Sequence, residues 1–207
     1  MAKQIEGVGE RILACAKEEF LEKGYTDASL RTIAAAAETS TNSIYVRFGD
    51  KEGLFSAIVE PVLSEMVERF LKIQETFHHM DRAAQAARMP EYADGGTAEL
   101  VGYMYDHLDE FRLLLDASYG TRFHNFVDQL VRIEVEYTYK YMEVIGCESV
   151  KSGLVTEEFI HIIVTAYFNG MFEVVRHNMD RAAARRYVKM LNDYHMAGFS
   201  TVFDPQP

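Results

Sequence analysis

Residues 29–48, SLRTIAAAAETSTNSIYVRF, constrain the fold more than any other stretch of this chain. Leu30, Ile33, Ala34 and Ala37 recur at i, i+3, i+4 and i+7, which is one face of a short helix. Ser29 stands immediately before them, where its hydroxyl can accept from an orphan amide of the first turn. Glu38-Thr39-Ser40 suit a tight turn, and Ser40 can cap a second short helix from Thr41 to Arg47 or Phe48. That second helix turns only Ile44 and Phe48 inward, at i and i+4, and leaves Thr41, Asn42, Ser43, Tyr45, Val46 and Arg47 pointing elsewhere. So narrow an apolar face is poor material for a core. Two short helices, a tight turn and a small alanine at the crossing predict a helix-turn-helix, with its second helix shaped to lie in a DNA major groove.

The rest of the chain is compatible with that element. Apolar residues make up 48% of the sequence and there are only four prolines, which predicts an ordered globule. A valine- and threonine-rich alternating pattern is absent, long stretches carry helical spacing, and the expected class is all-α. A length of 207 residues holds one or two domains with a proper core. The first eleven residues, MAKQIEGVGER, contain no apolar h-region, and no segment reaches 18 clean apolar residues. A cytoplasmic protein without a membrane span is the expectation. Cys15 and Cys147 lie far apart in helical patterns and read as reduced, buried thiols.

Net charge is −11, which by itself argues against nucleic acid. The charge is unevenly spread. Residues 1–55 carry seven Lys+Arg and nine Asp+Glu, a net of −2, and the remainder carries fourteen and twenty-three, a net of −9. The candidate DNA-binding part is therefore close to neutral, and Arg31, Arg47 and Lys51 must do its electrostatic work locally. Lys51 is informative. A cation in the first turn of a helix opposes the macrodipole, but a lysine among free amides builds an anion site.

The run from Arg11 to Phe55, RILACAKEEFLEKGYTDASLRTIAAAAETSTNSIYVRFGDKEGLF, resembles the DNA-binding domain of the TetR-like repressor family. The shared landmarks are a leading helix ending in Phe20 and Gly24-Tyr25, then Ser29, Ile33-Ala34, Ser40, Ile44-Tyr45, Phe48 and Lys51-Glu52-Gly53-Leu54. The family usually has glycine where this chain has Glu38 and an apolar residue at Thr39. A left-handed backbone at Glu38 would cost roughly 1–2 kcal/mol, so a turn of different shape is the alternative. The resemblance implies a division of labour on DNA. Thr41, Asn42, Ser43, Val46 and Arg47 would meet base edges, and Ser29, Arg31, Tyr45 and Lys51 would hold phosphates. It also implies a homodimer that leaves its operator when a small molecule binds the C-terminal part.

Domain boundaries are placed at 1–50 for the DNA-binding part and 51–207 for a helical ligand-binding and dimerisation part. The first helix should run from about Val8 to Lys23 and stop at Gly24. Asp50 should cap a long helix from about Lys51 to His79, kinked or interrupted at Pro61. Residues 80–97 should hold a short helix and a mobile loop at Asp94-Gly95-Gly96, with helix resuming at 97–107 and a short helix at 109–117. Phe123, Val127, Leu130, Tyr137 and Tyr141 stripe a long helix ending near Gly146, with Glu134 on the same stripe. Thr156 should cap a helix that is apolar nearly all round from Phe159 to Val175. The last helix, about Arg181 to Phe203, carries Ala184, Tyr187, Leu191, Tyr194, Gly198 and Val202. Gly170 and Gly198 suggest close helix approach, and a two-fold interface built from the last two helices of each subunit accounts for both features.

Catalytic signatures are weak. Glu75-x-x-His78 and Glu158-x-x-His161 have the spacing of bundle di-iron sites, but chance predicts about 0.7 such pairs from twenty-one Glu and seven His in 207 residues. No metal, cofactor or enzymatic activity is expected. The aromatic C-terminal part either packs solidly or lines a cavity, and the family resemblance favours a cavity. Its candidate lining is Tyr103, His107, Phe111, Tyr119, Phe123, Glu134, Tyr137, Tyr167, Asn169 and Met171, with His107 and Asn169 as polar contacts. The resulting expectation is a ligand-responsive DNA-binding regulator, most simply a repressor on a near-palindromic operator. Its rivals are a helix-turn-helix that binds protein and a helical-bundle metalloenzyme.

Overall fold

The computed structural model describes residues 7–203, and the side chains of residues 7–201. Residues 1–6 and the Val202 side chain of the last stripe lie outside the described residues. Among the described residues there are helices and turns and no strand. The helices are α1 (Val8–Asp27), α2 (Leu30–Ala36), α3 (Thr41–Phe48), α4 (Lys51–His78), α5 (Arg82–Asp106), α6 (Leu108–Arg112), α7 (Val127–Ile145), α8 (Glu148–Lys151), α9 (Glu157–Arg176) and α10 (Arg181–Phe203), with a π-helical turn at Leu113–Ala117.

The chain divides into two compact units, residues 1–65 with 107–124, and residues 66–106 with 125–207. This division differs from the boundary drawn at 50/51. The first half of α4 is built into the N-terminal unit because Phe55 packs edge-on against Phe20 at 5.1 Å and Tyr25 at 5.5 Å, and meets Phe123 at 6.1 Å. Phe111, Leu113 and Leu114 are buried in that unit too, and Lys17 pairs with Glu110 at 2.8 Å. Residues 107–124 are thus core material for the helix-turn-helix unit, which on its own is too small to bury much surface.

Three sequence expectations are corrected. Of the kink or interruption expected at Pro61, the interruption is absent: helix α4 is continuous from Lys51 to His78. Pro61 is exposed, so the carbonyl it leaves without a partner can be hydrated. Residues 94–96 form no loop; α5 is continuous from Arg82 to Asp106. Gly96 lies where a Cβ would come within 2.8 Å of Ile73 Cγ2, so glycine permits close packing of α5 on α4. Phe123 stands before α7, which begins at Val127 after a run of turns tied by Thr121 Oγ1 donating to the Ser118 carbonyl at 2.7 Å.

In the second unit α9 lies between α7 and α10, burying Ile160, Val164, Phe168, Met171, Phe172, Val174 and Val175. A Cβ at Gly170 would meet Leu191 Cδ2 at 3.1 Å, which confirms close approach of α9 and α10 within one chain; Gly198 has open space around it. Helix α9 is also long and apolar enough to cross a membrane by length and composition alone, as the buried core helix of a globular unit can be.

Candidate nucleic-acid interface and ligand cavity

The N-terminal unit presents α3 on a frame of caps. Ser29 Oγ accepts from the Thr32 amide at 3.4 Å, and the Ser29 amide donates to Glu19 Oε1 at 2.9 Å. Ser40 Oγ accepts from the Ser43 amide at 3.2 Å and starts α3. Between the helices the Glu38 amide donates to the Ala35 carbonyl at 3.1 Å and the Thr39 amide to the Ala34 carbonyl at 2.9 Å. With Glu38 at φ 52°, this is a Schellman ending in which a glutamate takes the left-handed position usually given to glycine. The turn therefore keeps the ordinary helix-turn-helix shape and carries the backbone strain.

Helix α3 buries Ile44 completely and leaves Val46 74% and Tyr45 51% exposed. Asn42 and Arg47 are exposed, and Thr41 and Ser43 are half-buried. Arg47 is folded along its own helix, donating to Ser43 Oγ at 2.6 Å and the Ser43 carbonyl at 3.3 Å. Arg31 is exposed on α2. Gly49 ends α3 at φ 80°, and Asp50 caps α4 by accepting from the Gly53 amide at 2.7 Å. Lys51 Nζ donates to the Thr26 carbonyl at 2.9 Å and sits 4.9 Å from the centre of the Tyr25 ring. Burial lowers its pKa from the ordinary 10.5, while the carbonyl and the ring hold the ammonium in place. Arg47 and Lys51 stand on either side of the α3–α4 junction, each held by groups of this unit.

The second unit contains a partly open cavity of about 130 Å³. Of the residues expected to line one, Glu134, Tyr137, Tyr167 and Met171 do. The other six lie elsewhere. His107, Phe111, Tyr119 and Phe123 belong to the N-terminal unit, where Phe111 is buried in the core and Tyr119 is 70% exposed. Tyr103 packs under the Arg69 guanidinium at 4.8 Å, and Asn169 is exposed, its amide donating to the Thr165 carbonyl at 2.9 Å. Counting aromatics could not separate the two cores. The stronger signal was polar residues set within apolar stripes at helical spacing: Phe70, Gln74, Phe77 and His78 on α4, and Asn192, His195, Met196 and Phe199 on α10, all of which line the cavity.

At the cavity wall Gln74 Nε2 donates to Glu134 Oε2 at 2.6 Å. Glu134 is half-buried by residue area, but its carboxyl is withdrawn from solvent. Burial pushes it up from 4.5 to about 7, against hydrogen bonds from Gln74 and Thr138 that pull it down. Burial also drives His195 down to about 4, and its ring stacks on Tyr167 at 4.5 Å. Tyr167 Oη lies 3.0 Å from Thr97 Oγ1 and donates to Asn192 Oδ1 at 3.3 Å, while Asn192 Nδ2 donates to Asp94 Oδ1 at 2.5 Å. Desolvation raises the Tyr167 hydroxyl to about 12. Both Glu-x-x-His pairs stand apart from any larger donor set: among the described residues no group of three or more His, Cys, Asp and Glu is placed to hold a metal ion.

Residues 12–58 match the family model for bacterial regulatory proteins of the tetR family. This N-terminal part of the chain is TetR-like. The chain is 36% identical over 69 residues to the uncharacterized HTH-type transcriptional regulator YvdT of Bacillus subtilis (strain 168), covering 33% of this chain and 36% of that protein. It is 31% identical over 81 residues to the HTH-type transcriptional regulator UidR of Escherichia coli (strain K12), covering 39% of this chain and 41% of that one. The alignments therefore span well under half the length of these curated relatives. In fold the likeness is broader. A TetR-like transcriptional regulator from Rhodococcus sp. RHA1 superposes with a TM-score of 0.62 at 19% identity, covering 92% of this chain and 96% of that one.

Proposed function

We propose that this chain is a dimeric, ligand-responsive DNA-binding transcriptional regulator, acting as a repressor. The observation that carries the reading is α3, a capped helix with one fully buried side chain, Ile44, and an outward set of Asn42, Tyr45, Val46 and Arg47. Its chemistry suits a groove: amide for adenine, guanidinium for guanine, methyls for thymine. In this reading the helix-turn-helix unit reads DNA, and the second unit, residues 66–106 with 125–207, binds effector and partner. Arg47 leaves Ser43 to reach a base, and Lys51, Ser29, Arg31 and Tyr45 hold phosphates.

The dimer rests on exposed apolar side chains. Tyr187, Met190 and Tyr194 repeat at i, i+3 and i+7 on α10, with Met190 71% and Tyr194 79% exposed. Phe159 and Ile162 are exposed on α9. A second copy meeting these helices in a four-helix arrangement would bury both sets and fill the space beside Gly198. The effector enters the aromatic cavity and shifts the population toward a dimer whose two α3 helices no longer match the operator. Helix α4, continuous from Lys51 to His78, belongs to both units and carries the coupling.

Selection of bound duplexes from a random pool tests the reading. A near-palindrome with half-sites about one helical turn apart, or a multiple of it, is expected. Enrichment of no sequence over several rounds, with folded dimer in hand, would leave the helix-turn-helix as a protein-binding module.

A further inference from the structure

We infer that the cavity of the second unit takes a small aromatic ammonium ion, held by charge at Glu134 and by the faces of the surrounding rings. This rests on reading the cavity as the effector site and narrows the chemistry of its ligand. Glu134 is a carboxyl in a cavity whose partners, Gln74 and Thr138, are neutral donors. Two donors suit the ionised form, yet among the described residues no lysine or arginine lines the cavity. A carboxylate built this way lacks a cation, and a ligand ammonium would supply it.

The groups around it leave that role to the ligand. From α4 comes His78, held below its ordinary 6.5 by burial first and by Lys140 second. From α10 comes His195, which burial holds down to about 4 and so leaves neutral near pH 7. Asp94 on α5 is committed to Lys189 at 2.9 Å, and that hydrogen bond holds its pKa down. Lys140 on α7 lies 4.1 Å from the centre of the Tyr137 ring and is held by Glu136 at 2.6 Å. Tyr92, Tyr137, Tyr141 and Tyr167 complete the wall, and burial raises the pKa of the Tyr141 and Tyr167 hydroxyls. These rings, with Phe77 and Phe168, make an aromatic lining of the kind that attracts a cation. A cavity of about 130 Å³ matches the size class that takes up one aromatic ring.

Titration calorimetry on the full-length protein without DNA, with benzylamine and benzyl alcohol as probes, tests the inference. Benzylamine should bind at least about tenfold more tightly than benzyl alcohol at pH 8. Its affinity should rise about tenfold from pH 6 to pH 8 as Glu134 ionises, because the amine stays protonated throughout. Glu134→Gln, which keeps the shape, should erase both the preference and the pH dependence. Benzyl alcohol binding as well as benzylamine, a flat pH profile, a preference that survives in Glu134→Gln, or no benzylamine binding would each overturn the inference. Because DNA is absent, a protein that binds its operator and refuses the amine overturns only the ligand class. A protein that binds the amine and no operator sequence overturns only the regulator reading.

Discussion

Gln74 on α4 donates to Glu134 on α7 at 2.6 Å, and this contact fixes the one raised carboxyl of the cavity. Removing the donor should raise that carboxyl further, since Gln74 stabilises the ionised form. In Gln74→Leu, the Glu134 side-chain carbon resonance followed by NMR should titrate above the wild-type value of about 7. A midpoint that stays in place would mean that Gln74 does not control the site.

The same carboxyl makes stability depend on pH. Its folded value, about 7, lies above the ordinary 4.5, so the folded state binds the extra proton between those values. That contribution is fully present below about pH 4.5 and is lost as pH rises through about 7. Glu134→Gln escapes the loss. It should match wild type near pH 5 and exceed it at pH 8 by on the order of 1–3 kcal/mol in urea unfolding. Parallel wild-type and variant curves across that range would show that the carboxyl is not buried at a cost.

Glu38 sits at φ 52° in the turn between α2 and α3. Glu38→Gly relieves a left-handed side-chain penalty of roughly 1–2 kcal/mol, partly offset by the greater freedom of glycine in the unfolded chain. A net gain of about 1 kcal/mol is expected in the urea midpoint. Loss of stability would mean that the Glu38 side chain makes a compensating contact.

Gly53 is the opposite case. A Cβ there would lie 1.9 Å from the Phe48 carbonyl oxygen, so Gly53→Ala must displace the junction of α3 and α4. It should lower stability by about 1–3 kcal/mol, whereas Gly9→Ala, with nothing within 4 Å, should be tolerated. Equal melting temperatures for the two variants would contradict the close approach.

Met190 and Tyr194 are the most exposed large apolar side chains of α10. Placing an aspartate at each, Met190→Asp with Tyr194→Asp, should convert a dimer to a monomer by light scattering, with far-ultraviolet dichroism unchanged. A dimer that persists would put the interface elsewhere.

Local structure was legible in the sequence where short-range chemistry decides it. Ser29, Ser40, Asp50 and Thr156 each cap the helix expected of them. Ile44 alone is buried in α3, and Phe48 is half-buried beside it. Legibility failed where tertiary packing overrides local preference. Pro61 and Gly95-Gly96 look like breaks, yet an exposed site tolerates the first, and contact with Ile73 requires a small residue at Gly96. The cavity was half legible for a related reason. Aromatic content cannot tell Phe111 and Phe123, which fill the first unit, from Tyr137 and Tyr167, which line the second. Placing residues 107–124 with the first unit requires contacts distant in sequence, such as Lys17 with Glu110.

Fluorescence anisotropy of the selected duplex and a scrambled one, over a salt series, with wild type, Arg47→Ala and Lys51→Ala, shows whether α3 reads DNA sequence. Wild type should prefer the selected duplex. Arg47→Ala should lose roughly 1–3 kcal/mol on that duplex and nothing on the scrambled one. Lys51→Ala should weaken both alike and flatten the salt slope by about one. Equal binding of both duplexes by wild type, or equal losses from both variants on both duplexes, would contradict the account of α3 as a reader of DNA sequence.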